Sequence, residues 1–152
     1  MRMREVKRSA LVAQSTGRMY ALINDIESYP SFVPWCTHAR VESRTESEIV
    51  ATLGVKRGPL RAEFTTRNVL LPEQSVVMHL VRGSVFKMLE GEWRLTPIAD
   101  AGSRIELTMR FAFSNSLSGL LFEPLFEETA ASLVDAFVKR ARSFEEPRTS
   151  AQ

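Results

Sequence analysis

At 152 residues, 44% of them hydrophobic and 25% charged, the chain has room for one core and the composition of an ordinary folded protein. Its one cysteine excludes an internal disulfide and a Cys-rich metal site and fits a reducing compartment. A net charge of +2 is too small to demand nucleic acid, so no DNA partner is expected, although among the 20 basic residues only Lys7, Lys56, Lys87 and Lys139 are lysine.

The opening "MRMREVKRSALV" lacks the apolar centre of a signal peptide, and no uncharged apolar run reaches membrane-spanning length. The expected location is the cytoplasm. "REVKRSALVA" reads as a first strand. Ser15 or Thr16 then caps a helix whose apolar face is Met19, Leu22, Ile23 and Ile26, spaced i, i+3, i+4, i+7. Pro30 is predicted to end that helix, with "SFVP" long enough for one more turn.

Between residues 37 and 113 the period falls to two. "EIVATLGVK", "PLRAEFTTRNVL", "SVVMHLVR", "FKMLEGEWRLTPI" and "SRIELTMRFAF" alternate, most cleanly in the last. There Ile105, Leu107, Met109, Phe111 and Phe113 point inward, against Arg104, Glu106, Thr108 and Arg110. In the second, Leu60, Ala62 and Phe64 oppose Arg61, Glu63, Thr65 and Arg67, which are expected to face water. Arg57-Gly58-Pro59, Pro72-Glu73-Gln74, Arg82-Gly83-Ser84 and Asp100-Ala101-Gly102 are the turn signals of an antiparallel meander. From Ser114 the helical period returns and runs to the "VKRARSF" segment, with Pro124 predicted to bend or divide the helix. The result is an α+β fold: six or seven antiparallel strands in a curved sheet around a long C-terminal helix, one domain over 1–145 and a flexible tail over 146–152.

Catalytic constellations are sparse. His38 and His79 have no carboxylates or thiolates at metal-ligand spacing, and no nucleophile-elbow, Walker A or dinucleotide motif occurs. Glu90 and Glu92 share one strand face and are read as solvated, and Cys36 as a small buried hydrophobe. What stands out is apolar surface in excess. Tyr29, Phe32, Val33, Pro34 and Trp35 crowd the helix end, where "SYPSFVPWC" is predicted to close one end of a cavity. Phe64, Thr66, Asn68, Met78, Leu80, Phe86, Met88, Leu89, Trp93, Met109, Phe111, Leu121 and Leu125 complete a ligand-binding wall. Thr66, Asn68 and the indoles of Trp35 and Trp93 are its candidate polar contacts. Phe32, Val33 and Trp35, with Phe86, Met88 and Leu89, form an expected membrane-touching rim beside Lys87 and Arg82.

Tyr29-Pro30, Phe32, Pro34-Trp35-Cys36, the later "FTTRN" (64–68), "FKMLEGEWRLTP" (86–97), "MRFAFSN" and "DAFVKRA" together resemble the coenzyme Q-binding, polyketide-cyclase-like family of the START superfamily, which has a bacterial branch of ribosome association toxins. The resemblance spans residues 6–144, and Pro124 departs from it. It implies a helix-grip fold of the START/Bet v 1 type with a hydrophobic tunnel between sheet and helix. It also implies two functions of different kinds. One is non-enzymatic binding of ubiquinone or a related polyprenyl lipid in support of respiration, with transient contact at the inner-membrane face. The other is binding to the large ribosomal subunit that blocks subunit association, through outward arginines such as Arg61, Arg67, Arg104 and Arg110 and the N-terminal Arg2, Arg4, Lys7 and Arg8. A cyclase-type enzyme is a third option. No cofactor or metal is implied beyond the bound lipid.

Overall fold

A computed structural model describes residues 3–99 and 102–144. The expected tail over 146–152, Arg2, and most of the Asp100-Ala101-Gly102 turn lie outside the described residues. Seven strands form one antiparallel sheet in the order β1-β7-β6-β5-β4-β3-β2. They are β1 (Arg4–Val12), β2 (Cys36–Arg44), β3 (Glu48–Arg57), β4 (Leu60–Leu71), β5 (Ser75–Arg82), β6 (Phe86–Ile98) and β7 (Gly102–Phe113). Between β1 and β2 run α1 (Thr16–Asn24), a 3-10 turn (Ile26–Ser28) and the one-turn α2 (Tyr29–Phe32). The chain ends in α3 (Ser116–Ser143). This is the helix-grip arrangement, with α3 lying in the concave face of a curved sheet.

Local chemistry explains the elements. β7 buries Ile105, Leu107, Met109, Phe111 and Phe113, so its period-two pattern places one face on the core. The β3–β4 hairpin turns on Gly58-Pro59. Gly58 has φ 57, which a two-residue hairpin loop of this hand needs at its first position and which glycine adopts without strain. Register shifts at Cys36/His38, Val41/Ser43, Thr65/Thr66 and Phe86/Met88 add local twist, and they bend the sheet around α3.

Three sequence expectations are corrected. Pro30 does not end α1, which stops at Asn24; the proline sits in the first turn of α2, where its missing N–H costs nothing. Pro124 does not divide α3, which runs unbroken for 28 residues. It leaves the carbonyl of Leu120 without its usual intrahelical N–H donor. Thr65 is buried rather than wet. Its hydroxyl meets that of Thr52 at 2.6 Å, Thr52 donates to Glu42 at 2.6 Å, and Arg82 closes over Glu42 at 2.5 Å. The hydroxyl and guanidinium bonds hold the Glu42 carboxyl down at about 2.

Candidate functional site: a cavity between sheet and long helix

Two aromatic clusters clamp α3 to the sheet. Toward its C-terminal half, Phe137 makes edge contacts with Tyr29, Phe32 and Trp93 at 5.4, 5.3 and 5.2 Å. Toward its N-terminal half, Phe126 meets Phe86 at 5.0 Å and Phe111 at 4.7 Å, and Phe86 stacks on Phe113 at 5.3 Å. Between the clusters the helix presents Thr129, Ala130 and Leu133 to the sheet, and small side chains leave a hollow there.

Its volume is about 60 Å³, the room of roughly two water molecules. Of the predicted wall, Tyr29, Trp35, Phe64, Thr66, Asn68, Met78, Leu89, Trp93 and Met109 line it. Ile26, Ala51, Leu53, Gly91, Phe126, Thr129, Ala130 and Leu133 line it as well and were not anticipated. Gly91 is the telling member. A Cβ there would fall 2.6 Å from the Met78 methyl and 2.7 Å from the Met109 sulfur, so its bare backbone makes room for two methionine ends.

The other predicted residues lie elsewhere. Phe32 packs on Tyr29, Phe137 and the Arg140 guanidinium. Val33 and Phe111 are fully enclosed in the core away from the hollow, and Phe86 belongs to the Phe126 cluster. Leu80 and Leu125 are half-buried against the core. Met88 is half-buried in the β6 bulge, and Pro34 is exposed. Leu121 is 58% exposed, because it lies on the solvent side of α3, so it is not part of the wall. The expected membrane rim is corrected by the same facts: Val33, Trp35, Phe86 and Leu89 are all buried, which leaves no apolar rim at those positions.

The wall is mostly apolar, and β4 contributes a pair of buried polar side chains to it. Thr66 donates its hydroxyl to Asn68 Oδ1 at 2.7 Å, and the Asn68 amide nitrogen has no hydrogen-bond partner among the described residues. Trp35, another of the polar candidates, is already engaged, since its indole N–H donates to Ser132 Oγ at 2.8 Å. Tyr29 is engaged too. Its hydroxyl donates to the Ile23 carbonyl, and burial raises its pKa far above the usual phenol range. The donors the hollow offers are therefore the amide N–H groups of Asn68 and the indole N–H of Trp93, which has no hydrogen-bond partner among the described residues.

Cys36, the one thiol, is not activated. Burial raises the Cys36 thiol to about 11, and its sulfur points at the His38 carbonyl at 3.4 Å. We expect the native thiol to react slowly with a disulfide reagent at pH 8 and promptly once unfolded. With a folded pKa above the ordinary 9, the thiol favours the fold below pH 9, and that contribution is lost as pH rises through about 11. Fast native labelling at pH 8 would contradict this placement. Glu90 and Glu92 lie on the outer sheet face, beside His79 at 3.6 Å and Arg94 at 3.0 Å, and do not reach the hollow. Among the described residues no group of three or more His, Cys, Asp or Glu side chains could hold a metal ion, and no helix is long and apolar enough to cross a membrane.

Comparison with known proteins agrees with this geometry. The family described as polyketide cyclase / dehydrase and lipid transport matches residues 12–138. The ribosome association toxin RatA of Escherichia coli K12 is 42% identical over 140 residues, which cover 92% of this chain and 88% of that protein. The mitochondrial coenzyme Q-binding protein COQ10 homolog B of Xenopus laevis is 27% identical over 140 residues, 90% of this chain and 57% of that protein. The crystal structure of the Zhui aromatase/cyclase from Streptomyces sp. R1128 superposes with a TM-score of 0.82 at 18% identity, covering 93% and 94% of the two chains, a likeness of fold.

Proposed function

We propose, from the premise that this chain belongs to the polyketide cyclase / dehydrase and lipid transport family, that it binds an apolar, carbonyl-bearing molecule between its sheet and α3 and performs no chemistry on it. The ligand is ubiquinone or a related polyprenyl lipid, the class named in the coenzyme Q-binding relative. The observation that carries the reading is the Asn68 amide. Its N–H groups line the hollow without a protein acceptor, and a quinone carbonyl can supply one in a mostly apolar wall. A polyprenyl tail gains little on moving from lipid to an apolar tunnel, so this polar contact supplies the selectivity.

The hollow is too small for cargo as it stands. A cavity of about 150 Å³ is needed to hold benzene, and ligand pockets start near ~300 Å³. Loading therefore parts α3 from the sheet. If the N-terminal half of α3 is the portion to move, it gives up the Phe126 ring cluster as well as the partly exposed ion pairs of Arg4 with Glu123 and Glu127 and of Arg57 with Glu128. Such pairs are worth little each.

Solvent extraction of the purified protein followed by mass spectrometry, with uptake from liposomes as the companion assay, tests the reading. A quinone or polyprenyl species is expected; none in either assay would end it. Asn68→Leu should weaken uptake of a short-tailed quinone about tenfold, the weight of one hydrogen bond, and lower the melting temperature modestly because the Thr66 hydroxyl loses its acceptor. Equal uptake by the variant would remove Asn68 from the site.

A second reading is favoured by the higher identity to a protein named as a ribosome association toxin. In it the chain binds the large ribosomal subunit through exposed cations. Of the four outward strand arginines, Arg67 and Arg110 are tied to Glu48 and Glu5 at 2.9 and 2.8 Å, while Arg61 and Arg104 have no ion-pair partner among the described residues. Salt-sensitive co-sedimentation with the large subunit on sucrose gradients is expected. Absence of the complex at low salt would exclude it.

A further inference from the structure

We infer that the end of the molecule formed by the first turns of α3 and the β3–β4 and β5–β6 turns is a docking face for an anionic lipid bilayer; this deepens the lipid reading above and rests on it. Leu117 and Leu121, one helical turn apart on α3, are 68% and 58% exposed, the most exposed large apolar side chains of the helix among the described residues. The same side of the helix continues to Leu125, whose methyls lie about 4 Å from the position of a Cβ on Gly58 at the β3–β4 turn. The helix start is fastened to the β5–β6 turn: the Ser114 amide donates to the Val85 carbonyl and its hydroxyl to the Ser84 carbonyl, each at 2.9 Å. Three elements thus converge at one end, next to the N-terminal half of α3.

The charge at this end selects the occupant. Lys56 and Arg61 face each other across the β3–β4 hairpin. Like charges directly opposed in a sheet are unfavourable, and neither has an ion-pair partner among the described residues. Lys87, one residue beyond the Phe86 ring that stacks on Phe113, is likewise exposed and unpaired. Exposed leucines rimmed by unpaired cations match an interface of acyl chains below anionic head groups. A second copy of this chain would bring the same cations against themselves. Lipids can thereby pass between bilayer and cavity without crossing water.

Flotation of the full chain with phosphatidylcholine vesicles, with and without phosphatidylglycerol, tests the face. We expect binding at low salt only when phosphatidylglycerol is present. Leu117→Glu/Leu121→Glu should lower it at least tenfold without changing the melting temperature, since both side chains are already in water. Lys56→Glu/Arg61→Glu should lower it on the order of tenfold. No flotation of the unaltered chain, or flotation undiminished in the leucine variant, would overturn the inference. So would a solution dimer that dissociates in the leucine variant while vesicles are ignored, which would make the face a self-interface. Binding of a short-tailed quinone free in solution is measured in parallel. If it persists while vesicles are ignored, only docking fails; if it is absent while vesicles are bound, only the cargo fails.

Discussion

Phe137→Ala is expected to destabilise the fold by about 3–5 kcal/mol, the range for deleting a buried phenylalanine, enough to leave it marginal when whole domains hold about 5–15 kcal/mol. Phe137 has no exposed surface, and its ring is the point where three parts of the chain meet. Tyr29 and Phe32 bring the segment between β1 and β2 to it, Trp93 brings the centre of β6, and the residue itself belongs to α3. Each edge contact adds on the order of 1 kcal/mol beyond the area it hides. Truncation opens a void that Trp93 cannot fill, because Trp93 is itself enclosed. Phe137→Leu keeps most of the volume and should cost clearly less. Leu121→Ala, on the solvent side of the same helix, should change stability by no more than about 0.5 kcal/mol. Urea unfolding at constant m-value measures all three. Equal losses for Phe137→Ala and Leu121→Ala would show that the aromatic junction does not hold α3 to the sheet.

How far the sequence could be read depends on what each pattern reports. Alternation in "SRIELTMRFAF" reports which side of a strand is buried, and β7 follows it residue by residue. It is silent about anything lying over the other side, which is why Thr65 was assigned to water. On the outer face a neighbouring hydroxyl, a carboxylate and an arginine cover it, and none of them is near it in sequence. Pro30 misled because a proline is compatible with the start of a helix as well as its end, and the decisive fact, that α1 stops at Asn24, is tertiary. The cavity was harder still. Large apolar side chains mark a wall poorly, since those are the groups that fill space, and Val33, Phe86 and Phe111 do so. A hollow is made where side chains are small: Ala51, Gly91 and Ala130 define it. A glycine in the interior of an alternating strand was the available signal, and Gly91 between Leu89 and Trp93 carried it.

Ala130→Leu should abolish cargo uptake, by about a hundredfold or more, in a protein that still folds. Ala130 faces the hollow from the middle of α3, between the two aromatic clusters. Leucine adds three carbons where about 60 Å³ stands empty, so the added atoms have a place to go. The helix tolerates the exchange, because alanine and leucine are both strong helix formers. The stability change should stay within about 1–3 kcal/mol, the size of moderate overpacking, and favourable contacts with Met78 and Met109 offset part of it. Uptake is another matter. Any quinone ring must then displace a side chain that is covalently tethered in its site. Binding of a short-tailed quinone, followed by tryptophan fluorescence because Trp35 and Trp93 both line the hollow, gives the readout. The same variant separates the two functions. On the ribosome reading, binding would run through outer cations and be untouched by Ala130→Leu, whereas a carrier should lose its cargo with its melting temperature nearly intact. Unchanged uptake by the folded variant would mean that the cargo, if any, is held outside the space between sheet and helix.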